Sequence, residues 1–117
     1  MADYTIYHNP RCSKSRQTLA LLEENGIDPE VRLYLDAPPG AAELSGLLGK
    51  LSLSPRQLLR KGESAFTAAG LDDESLPDEA VIAAMVAHPI LIERPIVVSG
   101  ERAVLGRPPE NVLELMG

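Results

Sequence analysis

The chain has 117 residues, 44% hydrophobic and 24% charged, with one cysteine, Cys12, and two histidines, a size that suits one compact domain over residues 1–117. A lone thiol excludes internal disulfides and leaves no Cys/His set for a metal. The formal net charge of −6 argues against nucleic acid and anionic membranes as partners.

No stretch reads as a membrane span, because the longest uncharged apolar run, Ala80 to Ile92, is too short and contains His88-Pro89. The first residues lack the basic-then-apolar pattern of a signal peptide, so a cytoplasmic protein is expected. Tyr4 to Tyr7 is a short β-rich run, and Glu30 to Leu35 is a second, in which Val31, Leu33 and Leu35 alternate with Glu30, Arg32 and Tyr34. Between them Ser13 to Asn25 carries apolar residues at helical spacing and stops at Gly26. This βαβ unit predicts two parallel strands joined by a right-handed crossover.

After Pro38-Pro39-Gly40, the spacing of Leu44, Leu47, Leu48 and Leu51 predicts a helix. Ser54-Pro55 then supplies an N-cap and a first-turn proline for a short helix through Arg60. A further helix follows Leu76-Pro77, with Val81, Ile82 and Met85 as its apolar stripe, and ends near His88-Pro89. Ile96 to Val98 and Ala103 to Leu105 read as a hairpin around Ser99-Gly100-Glu101-Arg102. Pro108-Pro109 opens a last helix with Val112, Leu115 and Met116 on one face. The order predicts an α/β fold: a four-stranded mixed sheet with a helical insertion between its βαβ and ββα halves. That is the order of a thioredoxin-like, or glutaredoxin-like, fold.

Cys12 falls where the first strand gives way to the first helix, in the run His8-Asn9-Pro10-Arg11-Cys12-Ser13-Lys14-Ser15-Arg16. At an N-cap its sulfur would face free backbone N–H groups and the positive end of the helix dipole, which favour a thiolate or a bound anion. The dipole alone is too weak. Lowering a thiol from about 8.5 to about 6.5 needs roughly 2.7 kcal/mol, and a helix terminus supplies roughly 0.3–1 kcal/mol, about 2 at best. The Ser15 hydroxyl and the positive charge or donors of His8, Arg11, Lys14 and Arg16 are the local candidates for the remainder. An isolated cysteine is more often a small buried hydrophobe, but three cations and two serines are poor company for one. With Ser15 in place of a second cysteine there is no Cys-x-x-Cys dithiol, so the protein cannot cycle between dithiol and disulfide alone.

Eight of the eleven basic residues are arginines. Arg60, Arg94 and Arg107 stand out, the last two directly before Pro95 and Pro108. In a thioredoxin-like fold the proline opening the third strand is commonly cis and faces the redox cysteine, which would bring Arg94 beside Cys12. A guanidinium fork matches a tetrahedral oxyanion, although any one of these arginines taken singly also reads as an ordinary surface or ion-paired residue.

The chain resembles the arsenate reductases that depend on glutathione and glutaredoxin. The resemblance covers nearly all 117 residues and rests on Tyr7-His8-Asn9-Pro10-x-Cys12-x-x-Ser15-Arg16, Leu33-Tyr34-Leu35, Leu58-Leu59-Arg60-Lys61, His88-Pro89-Ile90-Leu91-Ile92-x-Arg94-Pro95-Ile96-Val97-Val98 and Arg107-Pro108. It implies Cys12 as nucleophile, His8 and Ser15 as residues that keep it ionised, and Arg60, Arg94 and Arg107 as the oxyanion site, with Arg16 and a cis Pro95 in support. It further implies glutathione as co-substrate, glutaredoxin as partner, arsenate and arsenite as substrate and product, and neither metal nor bound cofactor. Ending at Gly117, the chain resembles the shorter branch of that family, and a monomer is expected. Two other functions fit the same class of fold: a transcriptional adaptor on RNA polymerase, whose common Cys-x-x-Cys is missing here, and a glutathione-linked thiol-transfer enzyme without arsenic chemistry.

Overall fold

The computed structural model describes residues 4–116. The chain divides into two compact units, one formed by residues 1–37 and 94–117, the other by residues 38–93.

The first unit is built on a four-stranded sheet of β1 (Tyr4–His8), β2 (Glu30–Leu33), β3 (Ile96–Ser99) and β4 (Arg102–Leu105), in the order β2-β1-β3-β4. β1 pairs parallel with β2 and antiparallel with β3, and β3 pairs antiparallel with β4. Mixed pairing follows from the connections. Helix α1 (Ser13–Glu24) crosses over between the parallel strands, and a tight turn at Gly100 (φ +61°) closes the hairpin. The helix stops in a Schellman arrangement: Gly26 adopts φ +78°, its N–H donates to Glu23 O, and Ile27 N–H donates to Leu22 O. Ile6, Leu22, Val97, Val112 and Leu115 form the core of this unit, flanked by Tyr4, Leu19, Ile27 and Val104. This is the thioredoxin-like fold, with the helical segment inserted between βαβ and ββα.

The second strand ends earlier than its alternation predicts. It stops at Leu33, whose carbonyl accepts from Asp36 and Ala37 N–H in a turn. Val31, Leu33 and Leu35 are 44%, 40% and 39% exposed, whereas Tyr34 is buried. β2 is an edge strand with a neighbour on one side only, so periodicity there does not report burial. The final helix, Pro109–Leu115, is of the tighter 3-10 type and still buries Val112 and Leu115.

The second unit is helical. α2 (Ala41–Leu51) buries Leu44, Leu47 and Leu48, and α5 (Asp78–Ala87) buries Val81 and Met85 and places Asp78 and Glu79 in its first turn, where acids complement the helix dipole. Between them lie α3 (Pro55–Leu58), opened by a Ser54/Gln57 capping box, and α4 (Ser64–Ala68), which no sequence signal separated from its surroundings. α3 ends at Leu58, two residues before the expected end. Leu59 turns extended and bridges Ile92, and Arg60 N–H donates to Leu91 O at 2.8 Å. Among the described residues no helix is long and apolar enough to cross a membrane, and no group of His, Cys, Asp or Glu is arranged to hold a metal ion.

Candidate active site

β1 ends at His8, and four residues turn the chain into α1. Asn9 organises this turn. Its Oδ1 accepts from Arg11 N–H at 3.0 Å and its carbonyl accepts from Cys12 N–H at 3.0 Å, an Asx turn. Cys12 is then the N-cap, with extended φ −96°, ψ 122°, and its carbonyl accepts the first helical bond from Arg16. A Ser, Thr or Asp oxygen normally satisfies an orphan N–H from this position. Here the half-exposed sulfur makes no capping hydrogen bond, but the backbone N–H of Ser15 lowers the thiol's pKa.

Two guanidinium groups from the far end of the chain complete the surroundings of the thiol. Arg107 Nη1 lies 3.8 Å from Cys12 Sγ and donates to the Arg94 carbonyl at 3.0 Å. Arg94 acts on the thiol through its guanidinium as donor and as charge, and the Arg94–Pro95 and Arg107–Pro108 peptide bonds are both cis. Burial pushes the Cys12 thiol up. The Ser15 N–H, Arg94 as donor and charge, and Arg107 as donor outweigh it, so the thiol titrates below its ordinary value. These three contacts favour the thiolate and, equally, an anion beside it.

The Ser15 hydroxyl does something other than the sequence suggests. Ser15 is fully buried, and its Oγ accepts from Asn9 N–H at 3.0 Å and sits 2.6 Å from His8 Nδ1. With one lone pair taken by Asn9 N–H, the hydroxyl keeps a second lone pair and its proton, so it bonds His8 Nδ1 in either tautomer of the ring. Ser15 therefore reaches the sulfur through its backbone, and its side chain ties the turn to β1. His8 is 6% exposed, and burial, with the charge of Arg16 second, lowers its pKa, so its imidazole is neutral at pH 7. It brings no positive charge to the site. Arg16 Nη1 donates to the Pro10 carbonyl at 2.8 Å, bracing the turn, and Arg11 and Lys14 are exposed. The local cations expected around Cys12 thus give way to Arg94 and Arg107. Asn9, which composition and charge do not single out, is the residue that fixes the turn; an Asn-Pro dipeptide after a strand is its one signal.

Arg60 belongs to the second unit. Its Nη1 lies 2.6 Å from Glu93 Oε1 and its Nη2 3.5 Å from Glu63 Oε2, so it is held by two carboxylates of that unit.

A thioredoxin-like sheet carrying one N-cap thiol, its pKa lowered by two arginines, defines a single-cysteine protein of that fold. The comparisons with known proteins are narrower. Residues 7–115 match the ArsC family, and the chain belongs to it. An arsenate reductase of Neisseria meningitidis (serogroup A, strain Z2491) is 47% identical over 96% of this chain and 97% of its own. The protein YfgD of Escherichia coli K12, described as uncharacterized, is 57% identical over 96% and 95%. Among solved structures, an arsenate reductase from Vibrio cholerae superposes with a TM-score of 0.93 at 52% identity, covering 95% of each chain.

Proposed function

We propose that the protein is an arsenate reductase that draws its second thiol from glutathione and is regenerated by glutaredoxin. The observation that carries this reading is the position of Cys12, the sole cysteine, as an N-cap thiol whose sulfur is met by Arg94 and Arg107. In the first step the thiolate attacks arsenic(V), an As–O bond breaks and water leaves, giving a Cys12–S–As(V) adduct. Arg94 and Arg107 orient the oxyanion and stabilise charge on its oxygens as the bond forms. A glutathione thiolate then attacks the Cys12 sulfur. The S–As bond breaks, its electron pair reduces arsenic to As(III), and arsenite leaves behind a Cys12–glutathione disulfide. Glutaredoxin thiolate takes the glutathione, and Cys12 is released as the thiolate.

Arg60 enters this reading through the family resemblance alone; in the structure its two Nη atoms lie against Glu93 and Glu63. The reaction suits the cytoplasm, where glutathione keeps thiols reduced, and a monomer suffices for it. A steady-state assay with arsenate, glutathione, glutaredoxin, glutathione reductase and NADPH tests the proposal. Arsenate-dependent NADPH oxidation is expected and is abolished in Cys12→Ser. Undiminished turnover in that variant, or none in the parent, refutes the mechanism. Stable capture of an RNA polymerase subunit by an inactive parent would point to the adaptor role.

A further inference from the structure

Cys12, Arg94 and Arg107 stand on three separate stretches of chain, and those stretches meet at Gly106. Gly106 N–H donates to the Pro95 carbonyl at 2.9 Å, and its own carbonyl lies 3.3 Å from the Thr18 hydroxyl, which also bonds Lys14 O at 2.8 Å. Thr18 is fully buried on α1, and Pro95 and Gly106 are buried as well. A Cβ at position 106 would lie 2.5 Å from Thr18 Oγ1, 2.8 Å from Pro95 Cγ and 2.9 Å from Thr18 Cγ2. None of these atoms is the end of a flexible chain. Two hang from the β-branched carbon of Thr18, whose χ1 is stiff, and the third belongs to a ring.

Each partner in this contact is tied to one working group. Pro95 follows Arg94, Gly106 precedes Arg107, and Thr18 rides the helix whose N-cap is Cys12. We propose that Gly106 is a positioning residue: the bare Cα lets the end of β4 and the start of β3 close directly on Thr18, and that closure sets how near Arg94 and Arg107 stand to the Cys12 sulfur. A side chain at 106 forces one of the three stretches to retreat. A retreat of about one ångström is a large change for a 3.8 Å contact between Arg107 and sulfur.

The proposal rests on Cys12 being the reactive thiol of the proposed function, but its test needs no arsenate. Iodoacetamide alkylation of Cys12, followed by intact mass across pH, reads the thiolate directly in the folded protein. Gly106→Ala is expected to raise the midpoint of that profile, each unit of rise removing about tenfold of the thiolate at pH values below it. Thr18→Ala/Gly106→Ala, which removes both Thr18 atoms in conflict and leaves Pro95, is expected to fall between Gly106→Ala and the parent. A folded Gly106→Ala with the parent's midpoint overturns the proposal, as does a double variant no closer to the parent than the single one. If Gly106→Ala does not fold, the double variant decides: a raised midpoint supports the proposal and the parent's midpoint overturns it. Failure of both to fold overturns it too, because the contact would then serve the core alone. A parent inert toward arsenate refutes the proposed function and leaves this test standing.

Discussion

Ser15→Ala separates two accounts of the same residue. In the structure the hydroxyl accepts from Asn9 N–H and shares a hydrogen bond with His8 Nδ1, both inside the protein, while the Ser15 backbone N–H is what lowers the thiol's pKa. Alanine removes both side-chain bonds and keeps the backbone donor. Leaving a buried donor or acceptor unsatisfied costs about 1–3 kcal/mol each, so the pair is worth about 2–6 kcal/mol. With a urea slope of about 2 kcal/mol/M, the unfolding midpoint should fall by about 1–3 M. The alkylation profile of Cys12, measured below that urea range, should keep its midpoint. A Ser15→Ala protein with unchanged urea resistance and a raised Cys12 midpoint would refute the reasoning and return the hydroxyl to the sulfur.

Arg94→Ala should raise the Cys12 alkylation midpoint more than Arg107→Ala does, because Arg94 acts on the thiol as both donor and charge and Arg107 as donor only; equal shifts would contradict that ranking. Arg94→Lys should recover the thiol midpoint better than the KM for arsenate, since an ammonium restores charge but not the planar fork. His8 makes stability depend on pH. Its folded pKa lies below the unfolded value of about 6.5, so the unfolded state binds the extra proton first, and stability present above about pH 6.5 is lost as pH falls toward the folded value. Urea midpoints at pH 7.5 and 5.5 should differ less in His8→Gln than in the parent. Leu22→Ala, at a fully buried position of the first unit's core, should cost about 2–5 kcal/mol, read as a lowered urea midpoint.

What the sequence shows best is what local chemistry dictates. The strand, helix, strand order, the stop at Gly26, the proline-opened helices and the hairpin at Gly100 all depend on neighbours in the chain, and they reappear with ends shifted by one or two residues. Burial in β2 was illegible because it depends on what lies beside the strand: the alternation that predicts an inward face describes an edge that remains largely exposed. The site divides the same way. Cys12 at the N-cap follows from the strand-to-helix switch, and the pairing of Arg94 with Cys12 follows only once a thioredoxin-like order is assumed. The partners of the Ser15 hydroxyl were beyond reach. Both of them, His8 Nδ1 and Asn9 N–H, are buried, at 6% and 5% exposed, and that depth is set by how the turn packs rather than by local sequence.

The proposed reaction gives the same two guanidinium groups two tasks, and the charge count shows that the tasks conflict. Before substrate arrives, Arg94 and Arg107 lower the pKa of the Cys12 thiol, which carries one negative charge once ionised. A dianionic oxyanion brings two more, so three negative charges would face two positive ones across a partly exposed site. Uncompensated charge at such distances costs several kcal/mol unless a proton or a cation answers it. One resolution is that the oxyanion binds in its monoanionic, protonated form, which also supplies the proton that its leaving hydroxyl needs to depart as water. The other is a third cation, the role the family resemblance gives to Arg60, whose present partners are Glu93 and Glu63. The two resolutions differ in whether the parent responds to pH. If the monoanion is required, KM for arsenate rises above neutrality in parent and Arg60→Ala alike; if Arg60 is required, the dianion binds the parent well and the rise appears only once that arginine is gone.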